Sequence, residues 1–81
     1  MPRFFFDIYN DIMTRDGEGI DLEDDAAALS RARVEAQNLA AESIREHGHL
    51  ILSHRVSVRD ETGRTIGQVR FDEAVDIRHS D

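Results

Sequence analysis

The histidines are the first residues that could do chemistry, because neutral imidazoles bind transition metals. His47 and His49 flank a glycine, and His54 follows shortly after. Two imidazoles that are separated by one residue at the end of a helix do not converge on one ion, and the H-E-x-x-H spacing is absent. His47 is better interpreted as a favourable group at a helix C-terminus. We therefore predict no metal site.

Carboxylates and hydroxyls are the next candidates. Asp16, Glu18 and Asp21 lie close together, but the glycines at positions 17 and 19 do not match the EF-hand pattern. The serines and threonines lie in no nucleophile elbow or triad-like context, and there is no glycine-rich phosphate loop. A chain of 81 residues also leaves little volume for a substrate pocket. We predict a protein that is not an enzyme and has no cofactor.

Charge and composition restrict the partners. A net charge of −7 repels nucleic-acid phosphates, so nucleic acid is a disfavoured partner. All ten basic side chains are arginine, whose planar guanidinium binds carboxylates and stacks on aromatic rings. The absence of cysteine fits a reducing compartment. No apolar run is long enough to span a membrane, and a charge follows the first aromatic residues too soon for a signal peptide. These features predict a cytoplasmic protein with no membrane partner.

One long amphipathic helix, predicted over residues 23–47, must position the rest of the chain. Acidic residues suit its first turn, Asp24 or its neighbour can cap it, and Gly48 ends it. The predicted buried face is rich in alanine, so the helix can lie close to a sheet that supplies bulkier side chains. That face consists of Leu29, Ala32, Ala36, Leu39, Ala40 and Ser43, with Ala26 and Ile44 at its margins.

Short segments that alternate in hydropathy surround this helix and predict strands. The first covers residues 2–9, with Phe4, Phe6 and Ile8 facing inwards. A second begins at residues 12–14, bends at the glycines 17 and 19, and returns to the core. Two further strands, 54–60 and 65–71, form a hairpin, with a bulge at Gly67 and one helical turn after it.

The order β-β-α-β-β predicts a single α+β domain over residues 1–81. It is a two-layer sandwich, in which one long helix packs on one face of a four-stranded, mainly antiparallel sheet. The other face then carries arginines interleaved with aromatic side chains. This candidate interaction surface consists of Arg3, Phe5, Tyr9, Arg55, Arg59 and Arg70.

Three functions fit such a face. It binds a second copy of the chain or a partner protein, since a small sheet gains by covering its open side. Alternatively it is a solvated face, on which arginines lie over Phe5 and Tyr9 and pair with Asp7. The third alternative is a single-stranded RNA platform, where bases stack on rings. We rank protein contact first, and nucleic acid last because of the negative charge.

The chain also resembles a family of short bacterial proteins carried as a domain of unknown function. The resemblance rests on the opening Met-Pro-Arg-Phe-Phe-Phe, the Asp16-Gly17-Glu18-Gly19 turn, the alanine spacing at 28, 32 and 36, and the closing hairpin. It implies no activity or catalytic residue. Asp7 stands where we associate the family with a histidine, which weakens any metal or acid–base role at that position.

A looser resemblance covers about the first half of the chain. The antitoxin half of HicAB-type toxin–antitoxin systems also places a hairpin before an acidic, alanine-rich helix, although no DNA-binding part follows here. The predicted function is therefore a small non-catalytic interaction or regulatory module. The alternative is a nucleic-acid-linked protein, either an RNA-binding sheet or an acidic antitoxin-like inhibitor.

Overall fold

The computed structural model describes residues 1–80 and contains one antiparallel sheet and one long helix. Asp81, the last residue of the domain predicted over 1–81, lies outside the described residues. Within the described part, neither helix is long and apolar enough to cross a bilayer. The elements are β1 (Arg3–Tyr9), β2 (Met13–Thr14), β3 (Ile20–Asp21), α1 (Asp25–His47), β4 (Arg55–Arg59), β5 (Thr65–Arg70) and α2 (Phe71–Ala74).

The sheet has the order β2-β1-β4-β5, and β3 also pairs with β1. All pairings are antiparallel; Ile8 lies opposite Thr14 in β2, and Phe4 lies opposite Ile20 in β3. β2 and β3 therefore follow the same edge of β1 as two pieces of one interrupted strand. The predicted α+β sandwich is confirmed, but the sheet has five strands rather than four because the bend divides the second strand.

The bend between β2 and β3 depends on Gly19. Its φ is +75°, in the left-handed region that glycine adopts without steric cost. A Cβ atom at this position would lie 2.8 Å from Cγ of Arg3 and 2.9 Å from the carbonyl oxygen of Phe4. Only glycine therefore fits where the chain returns to β1.

The last strand contains the predicted bulge, but at Ile66 and not at Gly67, where it is predicted. Val58 pairs with Gly67 but Arg59 pairs with Thr65, so Ile66 is the extra residue of β5. A Cβ atom on Gly67 would lie 2.8 Å from Cδ2 of Leu29, a residue of α1. This glycine therefore lets the helix approach the sheet closely, next to the bulge.

Helix α1 begins two residues later than predicted, because Asp24 has an extended backbone and acts as its N-cap. The Oδ1 atom of Asp24 accepts a hydrogen bond of 2.8 Å from the backbone N–H of Ala27. The predicted C-terminus is confirmed. Gly48 has a φ of +69°, and its N–H donates to the carbonyl oxygen of Ile44.

The buried stripe of α1 is narrower than predicted. Leu29 and Leu39 flank it, whereas the predicted margin residue Ile44 is 53% exposed. The stripe itself consists of alanines spaced four apart, and it packs on β4, β5 and α2. The fully buried bulk comes from the sheet and α2, as the small helix face requires. The alanines are Ala28, Ala32, Ala36 and Ala40, and the bulky side chains are Phe4, Val56, Val58 and Phe71.

Because α1 lies over β4 and β5, the inner side of β1 remains partly open. A groove of about 380 Å³ runs between the helix and the β2–β3 edge. Phe6, Ile8, Ile20 and Val56 are among its apolar lining residues, and Glu35 borders it from the helix. The helix layer therefore does not fully cover the inner side of β1.

A glycine series tests the bend. Gly19→Ala introduces both an unfavourable φ and a backbone clash, so we expect the free energy of unfolding to fall by more than about 2 kcal/mol. Gly63→Ala has a comparable φ of +88° but no neighbour within 4 Å, and it should cost only about 1 kcal/mol. Gly17→Ala introduces neither an unfavourable φ nor a close contact, since Gly17 has no positive φ and no neighbour within 4 Å of an added Cβ. Urea unfolding followed by circular dichroism measures all three, and equal losses for Gly19→Ala and Gly63→Ala would contradict the close packing.

Candidate interaction surface

The outer face is defined here as the side of the sheet that points away from α1. Side chains alternate along a strand, and the neighbours that point towards the helix are buried. On the outer face Phe5 lies opposite Arg59, Tyr9 opposite Arg55, and Arg55 opposite Arg70. The sheet therefore brings the predicted arginines and aromatic residues together in two rows, with Arg3 at the start of β1.

In the row of Phe5 and Arg59, the arginine forms an ion pair with Asp7. The Nε atom of Arg59 lies 2.9 Å from Oδ2 of Asp7, and the two side chains are only 14% and 6% exposed. The guanidinium lies 4.6 Å from the centre of the Phe5 ring and donates to the carbonyl oxygen of Asp16 at 2.6 Å. We call this arrangement the Arg59–Asp7–Asp16 network. This network occupies the guanidinium of Arg59 and covers the Phe5 ring, the groups that a ligand of this row would need.

Asp16 fills the gap that the bend leaves at the edge of β1. Its Oδ2 atom accepts the backbone N–H of Phe6 at 3.1 Å, and its own N–H donates to Oδ1 of Asp7 at 2.9 Å. The Oδ1 atom accepts from the backbone N–H groups of Glu18 and Gly19 at 3.0 and 3.2 Å. One side chain thus replaces the strand that is missing between β2 and β3.

This environment changes the acidity of Asp16. Burial by itself raises the pKa of its carboxyl, but backbone N–H donors from Phe6, Glu18 and Gly19 and the positive charge of Arg59 together outweigh it. The pKa of Asp16 therefore lies below its ordinary value. The ionised form of this carboxylate stabilises the fold.

The row of Tyr9 and Arg55 is different. The Cζ atom of Arg55 lies 4.3 Å from the centre of the Tyr9 ring, and both residues are half-buried. Among residues 1–80, Arg55 has no carboxylate partner and no side-chain hydrogen bond. Met13 pairs with Tyr9 across β1 and β2 and is 43% exposed. We call Tyr9, Met13, Arg55 and Arg70 the Tyr9–Arg55 end.

Arg70 completes this end and lies beside Arg55. Its Nε and Nη2 atoms donate to the two carboxylate oxygens of Asp72 at 3.1 and 3.0 Å. These hydrogen bonds and the negative charges of Asp72 and Glu73 raise the pKa of Arg70 above its ordinary value. Arg70 is held in place by an exposed neighbour, so its guanidinium faces solvent while Arg55 rests on a ring.

Arg3 serves the fold at the opposite end of β1. Its Nε atom lies 3.1 Å from Oδ1 of Asp21, and its Nη1 atom donates to the carbonyl oxygen of Glu18 at 2.6 Å. Its backbone N–H donates to Oε1 of Glu61 at 2.8 Å. These contacts hold β3 and the turn after β4 against β1. Arg3, Arg59 and Arg70 thus have carboxylate partners within the chain, and Arg59 covers Phe5. Arg55, which lies on the Tyr9 ring, has no carboxylate partner among residues 1–80.

Sequence reasoning missed two residues of this face. Met13 lies in the strand predicted to begin at residues 12–14, for which the sequence indicates no inward or outward face; a hairpin register fixed at Tyr9 places it beside that ring. Asp16 lies in the predicted bend, and its carboxylate is a hydrogen-bond centre. No local signal separates such an aspartate from an ordinary turn residue, because its bonds to Glu18 and Gly19 are those of a common turn and the distinguishing bond comes from Phe6 of β1.

Three of the four histidines, His47, His49 and His54, lie away from the outer-face rows, near the C-terminus of α1. The rings of His47 and His49 stack with their centres 5.4 Å apart. The Nε2 atom of His54 lies 3.6 Å from Oδ1 of Asp11, and its ring packs edge-on against Phe71. Within residues 1–80, no group of three histidine, cysteine or acidic side chains is arranged to hold a metal ion.

Comparison with known proteins gives one result. The chain belongs to the family described as a domain of unknown function, DUF6894, whose model matches residues 3–72. No curated protein and no solved structure matches the chain. The family predicted from the sequence is therefore confirmed, and the match includes both rows of the outer face. The description of the family assigns no activity.

The ion pair gives the first stability test of this surface. Arg59→Ala leaves the buried carboxylate of Asp7 without its guanidinium, and we expect a loss of about 3 kcal/mol in the free energy of unfolding. Arg64→Ala removes the same charge from an exposed turn residue and should change stability by less than about 0.5 kcal/mol. The double variant Asp7→Ala/Arg59→Ala should cost less than the sum of the single variants, since no buried charge remains. Urea unfolding that finds Arg59→Ala as stable as Arg64→Ala would contradict the network.

The lowered pKa of Asp16 gives a pH test. A carboxyl whose pKa is lower in the folded state contributes stability above its unfolded pKa and loses it as the pH falls through the folded pKa. The wild type should therefore lose this contribution progressively as the pH falls below about 4, the ordinary pKa of an aspartate. Asp16→Asn should be less stable at pH 7 and should fall less steeply on acidification. Asp76→Asn, in the exposed C-terminal segment, is the control; a slope for Asp16→Asn equal to that of the wild type would argue against this role.

Proposed function

We propose that this chain is a non-catalytic interaction module that self-associates or binds a partner protein through the Tyr9–Arg55 end of the outer face. The observation that carries the proposal is Arg55, which lies 4.3 Å above the Tyr9 ring and has no carboxylate partner among residues 1–80. The proposed setting is the bacterial cytoplasm, which a chain without cysteine fits.

The chemistry of this end supports protein contact. Tyrosine, arginine and methionine are enriched in the cores of protein interfaces, and tyrosine and arginine supply many of the residues that dominate binding energy. The Tyr9 ring already restricts the Arg55 side chain, so binding loses less conformational entropy than it would for a free arginine. Exposed Met13 adds adaptable apolar area beside the ring.

The same geometry indicates what the partner carries. A guanidinium forms its strongest hydrogen bonds with a carboxylate, and Arg55 is free to make them. The Tyr9 ring and Met13 fit an apolar side chain next to that carboxylate. An acidic and apolar segment of a partner, or of a second copy, therefore matches this end; the chain itself has 17 acidic residues.

Single-stranded RNA is less well supported than protein. An RNA platform requires open rings, yet Arg55 covers Tyr9 and Arg59 covers Phe5. A base on Phe5 would displace a guanidinium from its ion pair with Asp7. The net charge of −7 opposes RNA binding as well.

Matched variants of the intact chain test the proposal. Tyr9→Ala and Arg55→Ala should abolish any self-association through the outer face in light scattering, or the retention of a partner from the native cell extract, without changing the circular dichroism spectrum. Arg78→Ala removes the same charge as Arg55→Ala from a side chain that is 82% exposed, and it should behave as the wild type.

Two results count against the proposal. One is that the Tyr9 and Arg55 variants associate and retain partners as the wild type does. The other is tight binding of single-stranded RNA in fluorescence anisotropy that is lost in the same two variants, since that would favour the nucleic-acid alternative.

A further inference from the structure

The two edges of the sheet differ in how well they are protected. The β2–β3 edge consists of two strands of two residues each, interrupted by the bend, and such breaks prevent pairing with another strand. The β5 edge is six residues long and contains neither lysine nor proline, and beyond its bulge at Ile66 it runs regularly from Gly67 to Arg70. Among the described residues, no element covers it with backbone hydrogen bonds. The β5 edge is therefore the one that can accept a further strand.

Hydrogen bonds fix which backbone groups of β5 point outwards. The N–H of Phe71 donates to the carbonyl oxygen of His54 at 2.8 Å, so the backbone N–H and C=O groups of Phe71 point towards β4. Because these directions alternate along a strand, the N–H and C=O of Val69 point towards β4 as well. The N–H of Arg70 points the other way and donates to Oε1 of Glu73 at 3.1 Å. The N–H and C=O of Gln68 therefore point away from β4, towards the open edge of the sheet, and the residue is exposed.

We propose that a second copy of this chain pairs with β5 in antiparallel orientation, with the two-fold axis at Gln68. The N–H of each Gln68 then donates to the C=O of Gln68 in the other copy. The two sheets become one continuous sheet. Because the contact is isologous, it closes at two copies.

The register follows from the same hydrogen bonds. A pair centred on Val69 would join Gln68 to Arg70 of the other copy, and a pair centred on Arg70 would join the two Arg70 residues. Both need the N–H of Arg70, which already donates to Glu73. Ile66 is the extra residue of the bulge and is out of line with the ladder. Gln68 is thus the residue of β5 at which an identical strand can exchange both bonds.

The side chains fit this register. It places Gly67 opposite Val69 of the second copy, so a small residue meets a larger one on the inner face. Each Arg70 lies two residues from the axis, beside the bulge at Ile66 of the other copy, so the two guanidiniums lie on opposite sides of the axis and stay apart. A partner strand of unrelated sequence would not carry this self-complementarity, and for this reason we assign the edge to a second copy.

The dimer would present its binding surfaces together. A two-fold axis perpendicular to the sheet puts both helices on one side and both Tyr9–Arg55 ends on the other. The inference does not rest on the proposed function, but it would make that surface bivalent for a partner with repeated sites.

Proline substitution tests the edge. Gln68→Pro removes the outward N–H and blocks a neighbouring strand, while an edge strand tolerates proline where its N–H faces solvent. We expect sedimentation velocity over micromolar to millimolar concentrations to find dimers for the wild type and Gln68→Ala. Gln68→Pro should be monomeric, with a dissociation constant raised at least about tenfold and an unchanged circular dichroism spectrum.

The opposite edge supplies the matched control. The N–H of Leu22 donates to the carbonyl oxygen of Pro2, so by alternation the N–H of Asp21 in β3 points away from β1. Asp21→Pro therefore places the same substitution at the other edge, outside the Tyr9–Arg55 end, and should still dimerise. If Gln68→Pro does not fold, hydrogen exchange of the wild type decides instead, because the Gln68 amide should be protected at high concentration and exchange rapidly on dilution.

Three results would overturn the inference. A wild type that stays monomeric over the whole range excludes the dimer. Dimerisation of a folded Gln68→Pro with the wild-type dissociation constant assigns association to another surface. Loss of the dimer in Arg55→Ala but not in Gln68→Pro would place it on the outer face, and would support the proposed function while refuting this inference.

Discussion

The ion pair between Arg59 and Asp7 is the contact on which the outer face depends. It joins β4 to β1 at a place where both side chains are almost fully buried, and a buried charge is costly unless it is paired. Asp16 extends the pair by accepting the N–H of Phe6 and by presenting its carbonyl oxygen to the guanidinium. The interrupted edge of the sheet is therefore held by charge-assisted hydrogen bonds where a continuous strand would have supplied backbone pairing.

This constraint divides one surface into two parts with different roles. Near Phe5, the guanidinium of Arg59 has a carboxylate, a carbonyl and a ring as partners, and it contributes to the fold. Near Tyr9, the guanidinium of Arg55 has only the ring as a partner among residues 1–80. Both ends contain an arginine that lies over an aromatic ring. They differ in whether an aspartate lies beside that arginine. The solvated-face alternative thus describes the Arg59 row well, whereas the guanidinium of Arg55 has no carboxylate partner within the described part of the chain.

Much of the fold could be predicted because local chemistry determines it. Asp24 and Gly48 bound the helix through capping that a sequence displays directly, and the bulge near Gly67 follows from a break in alternation. The outer-face residues were predictable from the period of two along a strand. Their division was not, because the partners of Arg59 come from residues 43 and 52 positions away. A pattern on one strand cannot reveal which cross-strand neighbour carries the compensating charge.

The difference between the two arginines can be observed directly by nuclear magnetic resonance of the Nε–H groups in the free chain. Arg59 donates its Nε–H to Asp7 in a buried site, so its signal should be sharp and should exchange slowly with water. The Nε–H of Arg55 has no acceptor among residues 1–80 and should exchange rapidly. A protected Arg55 Nε–H together with a rapidly exchanging Arg59 Nε–H would contradict the division of the outer face into a structural row and a binding row.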